Sequence, residues 1–232
     1  MTDVVTPIYT QSHRDGIEAI CPPAPRRILD IGGSSGRFAA AIKQSLGADA
    51  VYVADYSADA LAQAAAITDG TFQVDLNRRG AITEALATVE PFDLVFCLCV
   101  LEHVYDPWAL LAELHEALPM GATIVASVPN TQHLRFIARV VGGTWHYDHT
   151  GLFDRTHIRF FSRRSAEKLV TCSGLELVAS QMRIRNRTLA LFDKLTLGLF
   201  RRFLALQFEV VVRKTSATVR DPGFCGANIA GA

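Results

Sequence analysis

The chain has 232 residues, half of them apolar, and its 23 basic and 23 acidic side chains cancel to no net charge. That length buries a substantial core, and the apolar content excludes disorder except at the ends. The even charge balance argues against nucleic acid as a partner, so Arg163-Arg164 and Arg201-Arg202 read as solvated helix faces. The five cysteines form no CxxC pair and no metal-ligand spacing, which reads as reduced thiols in a cytoplasmic protein. No leader pattern opens the sequence, and no uncharged stretch reaches membrane-spanning length, so no integral membrane segment is expected.

A short helix around 10–20 leads through Pro22, Pro23 and Pro25 to the first strand, Ile28-Leu29-Asp30-Ile31. Gly32 to Gly36 form a small-residue turn, and Phe38, Ala41, Ile42 and Leu46 then share one helical face. Val51 to Asp55 read as a second strand, with Ser57 as the cap of the next helix. Thr71 to Asp75 read as a third strand, 81–88 as a helix, and Phe92 to Cys97 as the most apolar strand of the set. Asp106-Pro107 opens a helix whose core face is Leu111, Leu114 and Leu118, and Thr123 to Val128 follow as a fifth strand. This alternation predicts an α/β fold, a parallel sheet covered by helices on both faces. Beyond 130 the rhythm breaks into a helical patch ended by Gly142-Gly143, an aromatic and His/Asp-rich loop, a helix at 163–173 and a strand from Leu175 to Met182. An apolar helical segment over 187–206 precedes a closing strand, Phe208 to Arg213, and 215–232 has the composition of a flexible tail. The segment 187–206 lacks a clean stripe, so a substrate lid or the face of a homodimer is expected there in preference to a membrane surface.

Asp30, Asp55 and Asp75 each end a strand beside a glycine turn, where ligands bind in an open α/β sheet. A dinucleotide fingerprint requires G-x-G-x-x-G, and counting from Gly32 or from Gly33 fails at two glycines either way. A nicotinamide cofactor is therefore disfavoured.

The run Ile28-Leu29-Asp30-Ile31-Gly32-Gly33-Ser34-Ser35-Gly36 resembles the first motif of class I S-adenosylmethionine-dependent methyltransferases, D-x-G-x-G-x-G, with Ser34 in place of the middle glycine. Asp55, Asp75-Leu76, and Phe92-Asp93-Leu94-Val95 running into Val100-Leu101-Glu102-His103-Val104 continue the likeness, which spans about residues 26–130. The resemblance implies a Rossmann-like sheet of seven mostly parallel strands with the last antiparallel, and small inserted lids at about 131–160 and 186–206 of a domain spanning 1–214. It implies S-adenosyl-L-methionine as cofactor. On that view Asp30, Gly32, Gly33, Ser34 and Gly36 face the amino acid moiety, and Asp55 grips the ribose hydroxyls. Asp75 would accept from the adenine amino group, Tyr56 and Leu76 would wall the base, and Cys97 and Leu98 would line the methionine. Cys99 reads as packing.

The stretch Trp145-His146-Tyr147-Asp148-His149 to Asp154-Arg155-Thr156-His157-Ile158-Arg159-Phe160-Phe161 resembles the segment after the fifth strand in a bacterial subgroup of these enzymes. Members of that subgroup accompany polysaccharide or other small-molecule pathways, which implies O-methylation of a sugar or other small-molecule hydroxyl. Candidate general bases are His157, His149 and His103. His146, Asp148, His149, Asp154 and His157 carry groups that suit Mg²⁺ or Zn²⁺, but their spacing matches no established ligand set and no metal is expected. A bland reading makes the segment a lid with Arg159 paired to a carboxylate. The alternative to an enzyme is a cofactor-binding regulatory or assembly subunit.

Overall fold

A computed structural model of the protein describes residues 16–184 and 186–218. Seven strands form one sheet in the order β3-β2-β1-β4-β5-β7-β6. Strands β1 (Arg27–Ile31), β2 (Ala50–Asp55), β3 (Gly70–Gln73), β4 (Leu94–Leu98) and β5 (Thr123–Pro129) pair in parallel. The last strand, β7 (Gln207–Arg213), runs antiparallel between β5 and β6 (Glu176–Arg183). The chain reverses from β1–β2–β3 to β4 beside β1, so the crevice of the sheet opens at the carboxyl ends of β1 and β4.

Strand periodicity divides the core into two layers. Leu29, Ile31, Val95, Ile124 and Ala126 face one way, onto helices α3 (Ala81–Leu86), α4 (Pro107–Ala117) and α6 (Arg163–Cys172). Ile28, Val51, Val53, Leu94, Phe96 and Val125 face the other way, onto α1 (Arg37–Leu46) and α2 (Ala58–Ala64). Phe96 is fully buried, with the Phe38 ring edge-on at 5.1 Å. A side chain of that size contributes about 3 kcal/mol of burial. Asp106 caps α4 through Ala109 N, with Pro107 in its first turn.

Two insertions rise from the carboxyl edge of the sheet. One follows β5 and holds α5 (Leu134–Val141), which buries none of its residues fully, and the aromatic loop after it. The other links β6 to β7 and holds α7 (Arg187–Leu195) and α8 (Arg201–Leu204). The expected single helical segment over 187–206 is broken because Leu197 and Gly198 adopt left-handed φ values of 51° and 77°. In the leading segment, the described part of the expected helix is only a 3₁₀ turn, Ile17–Ile20, and residues 1–15 lie outside the described residues. The third strand stops at Gln73, two residues before Asp75. Most of the expected tail, from 219 onward, also lies outside the described residues. Cys21, Cys97 and Cys99 carry free thiols, whereas Cys172 is disulfide-bonded, contrary to the reading of all five as reduced.

Candidate active site

The turn between β1 and α1 is built by backbone conformations that side chains resist. Gly32, Ser34 and Gly36 have φ values of 67°, 50° and 74°, so Ser34 holds a left-handed conformation that favours glycine. A Cβ on Gly33 would lie 2.6 Å from Asp30 Oδ2, and one on Gly36 would lie 2.9 Å from the Ala64 Cβ. Asp30 is fully buried beneath this turn. Asp55, at the end of β2, accepts from Ser34 N through one oxygen and from Ser57 N through the other, both at 2.9 Å. It thereby fixes the glycine turn to the start of α2. Gly36 gives α1 no side-chain cap, so the first amides of that helix face the crevice without one.

Asp75 is exposed, and its Oδ1 accepts from Asn77 N at 2.9 Å in a local turn. Asn77 in turn accepts from Tyr105 N at 2.8 Å, a tie between the β3 and β4 loops that sequence reasoning missed. Leu76 is half-buried beside it, and Tyr56 is 73% exposed at the rim. The expectation for the three residues at the end of β4 is reversed. Cys97 and Leu98 are still in ladder register with Ala126 and Ser127, and their side chains pack into opposite core layers. Burial pushes the Cys97 thiol well above its usual range. Cys99, expected to be packing, leaves the strand with φ 57° and stands half-buried at its mouth. Its sulfur accepts from Gln207 Nε2 at 2.9 Å.

Beyond β4, Glu102 and His103 lie in a 3₁₀ turn, and the loop carrying His157 is stitched onto it. Ile158 N and Arg159 N both donate to Glu102 O, at 2.9 and 3.1 Å. One ligand atom each from Glu102, His103 and His157 falls within 4.8 Å of the others. Glu102 is fully buried, and desolvation raises its pKa to about 8, which keeps the carboxyl protonated at neutral pH. Burial, reinforced by the neighbouring His103, lowers His157 to about 4. The 3.9 Å approach of His157 Nε2 to Glu102 is thus a contact of two neutral groups and not an ion pair. His103 is also lowered, first by burial.

The tautomer of His103 follows from its partners. Its Nδ1 lies 3.2 Å from the Thr156 carbonyl, which can only accept, so Nδ1 carries the proton and the basic lone pair is on Nε2. Thr156 Oγ1, 3.0 Å from the same nitrogen, donates its own proton to buried Asp154 at 2.6 Å. His103, Thr156 and Asp154 therefore form an oriented chain. His149 is exposed on the loop and stands outside the Glu102, His103 and His157 group. His146 and Asp148 are taken up by Arg139, which binds the His146 carbonyl at 2.8 Å and the Asp148 carboxylate at 3.1 Å. Among the described residues Arg159 does not pair with a carboxylate; it donates to the Tyr105 carbonyl and lies over the Trp108 ring.

Residues 10–180 match the family model described as a methyltransferase domain. The chain belongs to the class I S-adenosylmethionine-dependent methyltransferase family. The chain is similar to the ubiquinone biosynthesis O-methyltransferase of Paracidovorax citrulli (strain AAC00-1), 32% identical over 133 residues, which cover 56% of this chain and 54% of that one. The protein of the same name from Azoarcus sp. (strain BH72) is 25% identical over 166 residues, covering 71% and 70%. The chain spans about half the length of the first of these curated relatives. An S-adenosylmethionine-dependent methyltransferase from Mesorhizobium loti shares the fold with a TM-score of 0.60 at 17% identity, over 88% of this chain and 99% of that one. Phosphoethanolamine N-methyltransferase 2 of Haemonchus contortus, solved with S-adenosyl-L-methionine, gives 0.57 at 17% identity, over 86% and 51%.

The turn fits the cofactor of that family. The left-handed backbone at Gly32, Ser34 and Gly36 and the start of α1, which has no side-chain cap, form a small-residue cradle. Glu102 and Thr156 are the residues that sequence reasoning did not single out. The only sequence signal for Glu102 was its place beside His103; nothing in the spacing tells that residues 102–103 and 154–157 meet.

Proposed function

We propose that the enzyme O-methylates a hydroxyl of a sugar or other small molecule, with His103 as general base. The observation that carries this reading is the His103–Thr156–Asp154 chain, which orients a neutral imidazole with its lone pair on Nε2 at the carboxyl end of β4. Asp30 and the turn from Gly32 to Gly36 would hold the amino acid part of S-adenosylmethionine, and Asp55 the ribose. Asp75, Tyr56 and Leu76 would face the adenine. The cofactor supplies an electrophilic methyl on a sulfonium, so the protein's part is positioning and proton removal. With the methyl supplied by the bound cofactor, His103 Nε2 would take up the proton that the acceptor hydroxyl gives up. The resulting imidazolium is stabilised through Thr156 by Asp154. His157, 7% exposed, is the inner partner whose ring packs at 4.8 Å against His103, and burial is what disfavours the charged form of His103.

Support for oxygen as the acceptor comes from the O-methyltransferase relatives at about 30% identity. The structural neighbours, at 17% or less, include N-methyltransferases and speak for the fold alone. A cytoplasmic location agrees with the absence, among the described residues, of any helix long and apolar enough to cross a membrane.

Transfer of a labelled methyl group to a panel of sugars, phenols and hydroxy acids tests the reading. Wild type should turn over one of them, and His103→Asn should lose at least about a hundredfold in kcat. The acid limb of kcat/KM should lie below the ordinary histidine value, because burial lowers His103. Asp55→Ala should weaken S-adenosylmethionine binding in calorimetry. Unchanged binding would refute the assignment of Asp55.

One observation favours a second reading, in which a divalent cation assists. Glu102, with both oxygens buried and, among the described residues, only the Cys99 thiol as a side-chain hydrogen-bond partner, converges with His103 and His157 as a candidate ligand set. A bound cation would ionise Glu102 and lower the pKa of a coordinated hydroxyl. A chelator then abolishes turnover and Zn²⁺ or Mg²⁺ restores it; on the base reading it has no effect.

A further inference from the structure

The connection from β6 to β7 spends its apolar residues on water. Leu195, Leu197 and Leu199 are 75%, 95% and 72% exposed, and Leu191 is 59% exposed at the same end. Burial of leucine is the ordinary outcome, and isolated exposures need no explanation. Here they are concentrated in nine residues at the tip of one connection. That tip is held out by polar anchors that do not use its leucines. Asp193, 4% exposed, receives two bonds from Arg201 at 2.9 and 2.8 Å, and its carbonyl accepts from Gly198 N at 2.8 Å. Fully buried Asn130 donates to the Arg202 and Ala205 carbonyls, both at 2.7 Å, nailing the base of the connection to the end of β5. The leucines are therefore presented by a braced loop and not by a loose one.

The charges around the tip have one sign. Residues 187–204 contain Arg187, Lys194, Arg201 and Arg202 against a single acid, Asp193, which is buried on Arg201. Protruding leucines ringed by exposed cations match the chemistry of an anionic bilayer: side chains enter the acyl boundary while Lys194, Arg187 and Arg202 meet lipid phosphates. A second copy of the chain is a poorer match. A two-fold contact would set this cationic rim against itself.

We infer that the 187–204 connection is a membrane-surface anchor that docks the enzyme on anionic lipid. Because the connection rises from the carboxyl edge of the sheet, docking turns the mouth beside His103 toward the bilayer. Acceptors carried in or on lipid then reach it without leaving the surface. The inference does not depend on which hydroxyl is methylated, because binding to lipid is read without turnover.

The test is co-sedimentation of the full chain with vesicles of phosphatidylcholine, with and without one-third phosphatidylglycerol. Wild type should pellet with the anionic vesicles and be released by salt. The surface variant Leu197→Ser/Leu199→Ser should lose roughly tenfold or more in partition coefficient. Lys194→Ser should weaken binding to anionic vesicles alone. Circular dichroism melting confirms that these variants fold. Wild type left in the supernatant with both vesicles would overturn the anchor, as would undiminished binding by the double variant. A wild-type dimer in sedimentation that the double variant converts to monomer, with no lipid binding, would assign the face to a second copy instead.

Discussion

Glu102 is a carboxyl group with no charge to spare. Its folded pKa of about 8 exceeds the ordinary 4.5, so as pH rises the unfolded chain releases this proton first. Stability from this group is complete below about 4.5 and is lost as pH climbs to about 8, a swing on the order of a few kcal/mol. His157, lowered to about 4, acts in the opposite sense: its contribution is present above the ordinary 6.5 and is lost as pH falls toward 4. Glu102→Gln removes the first dependence and keeps the second. The melting temperature of the variant relative to wild type should therefore rise steadily between pH 5 and pH 8. A constant difference would mean that Glu102 is ionised in the fold. At the glycine turn, Ser34 and Gly36 make a contrasting pair. Ser34→Gly relieves a left-handed serine and should leave stability equal or higher by up to about 1 kcal/mol. Gly36→Ala adds a Cβ 2.9 Å from the Ala64 Cβ at φ 74° and should cost about 2–4 kcal/mol in urea denaturation.

At the scale of elements, what was legible in the sequence is what repeats. The short apolar run of β1 and the Phe38-Ile42-Leu46 face of α1 are local signals, so both elements and the turn between them were read from the residues alone. The end of β4 was misread because one residue decides it: Leu98 still pairs with Ser127, and Cys99 turns out with a positive φ. The break at Leu197 and Gly198 was missed for the same reason, since an apolar run is equally a helix or a braced loop until its anchors are known. Asn130 is such an anchor, 72 and 75 residues from the carbonyls it holds. Asn130→Ala strips the Arg202 and Ala205 carbonyls and the Gln132 amide of their partner. It should cost about 3 kcal/mol, at about 1 kcal/mol for each bond. It should also open the connection to proteases within 187–204, ahead of global unfolding. Cleavage spread evenly over the chain would refute that local role.

At the scale of the molecule, sheet order sets a gradient of stability. Strands β1 and β4 are central, flanked on both sides, and their residues from Ile28 and from Leu94 belong to both core layers. Opening them exposes the whole core. The edges are weaker: β3 has four residues, and β6 carries an irregularity between Leu177 and Ala179. Helix α5 buries nothing fully and is held through the aromatic contacts of Phe136 with Trp145 and Phe153. Hydrogen exchange should therefore rank β1, β4 and β5 as the most protected, β3 and β6 as intermediate, and α5 with the 143–151 loop as the least. Adding S-adenosylmethionine should slow exchange at Gly32 to Gly36 and at Ser57, because the ligand fixes the turn that Asp55 already ties to α2. The order of the strands should not change, since on the proposed reading the cofactor would touch the ends of the sheet and not its ladder. If protection instead spread evenly through the sheet and spared the turn, the cofactor would not be bound at the carboxyl end of β1. The glycine turn would then be a feature of packing alone.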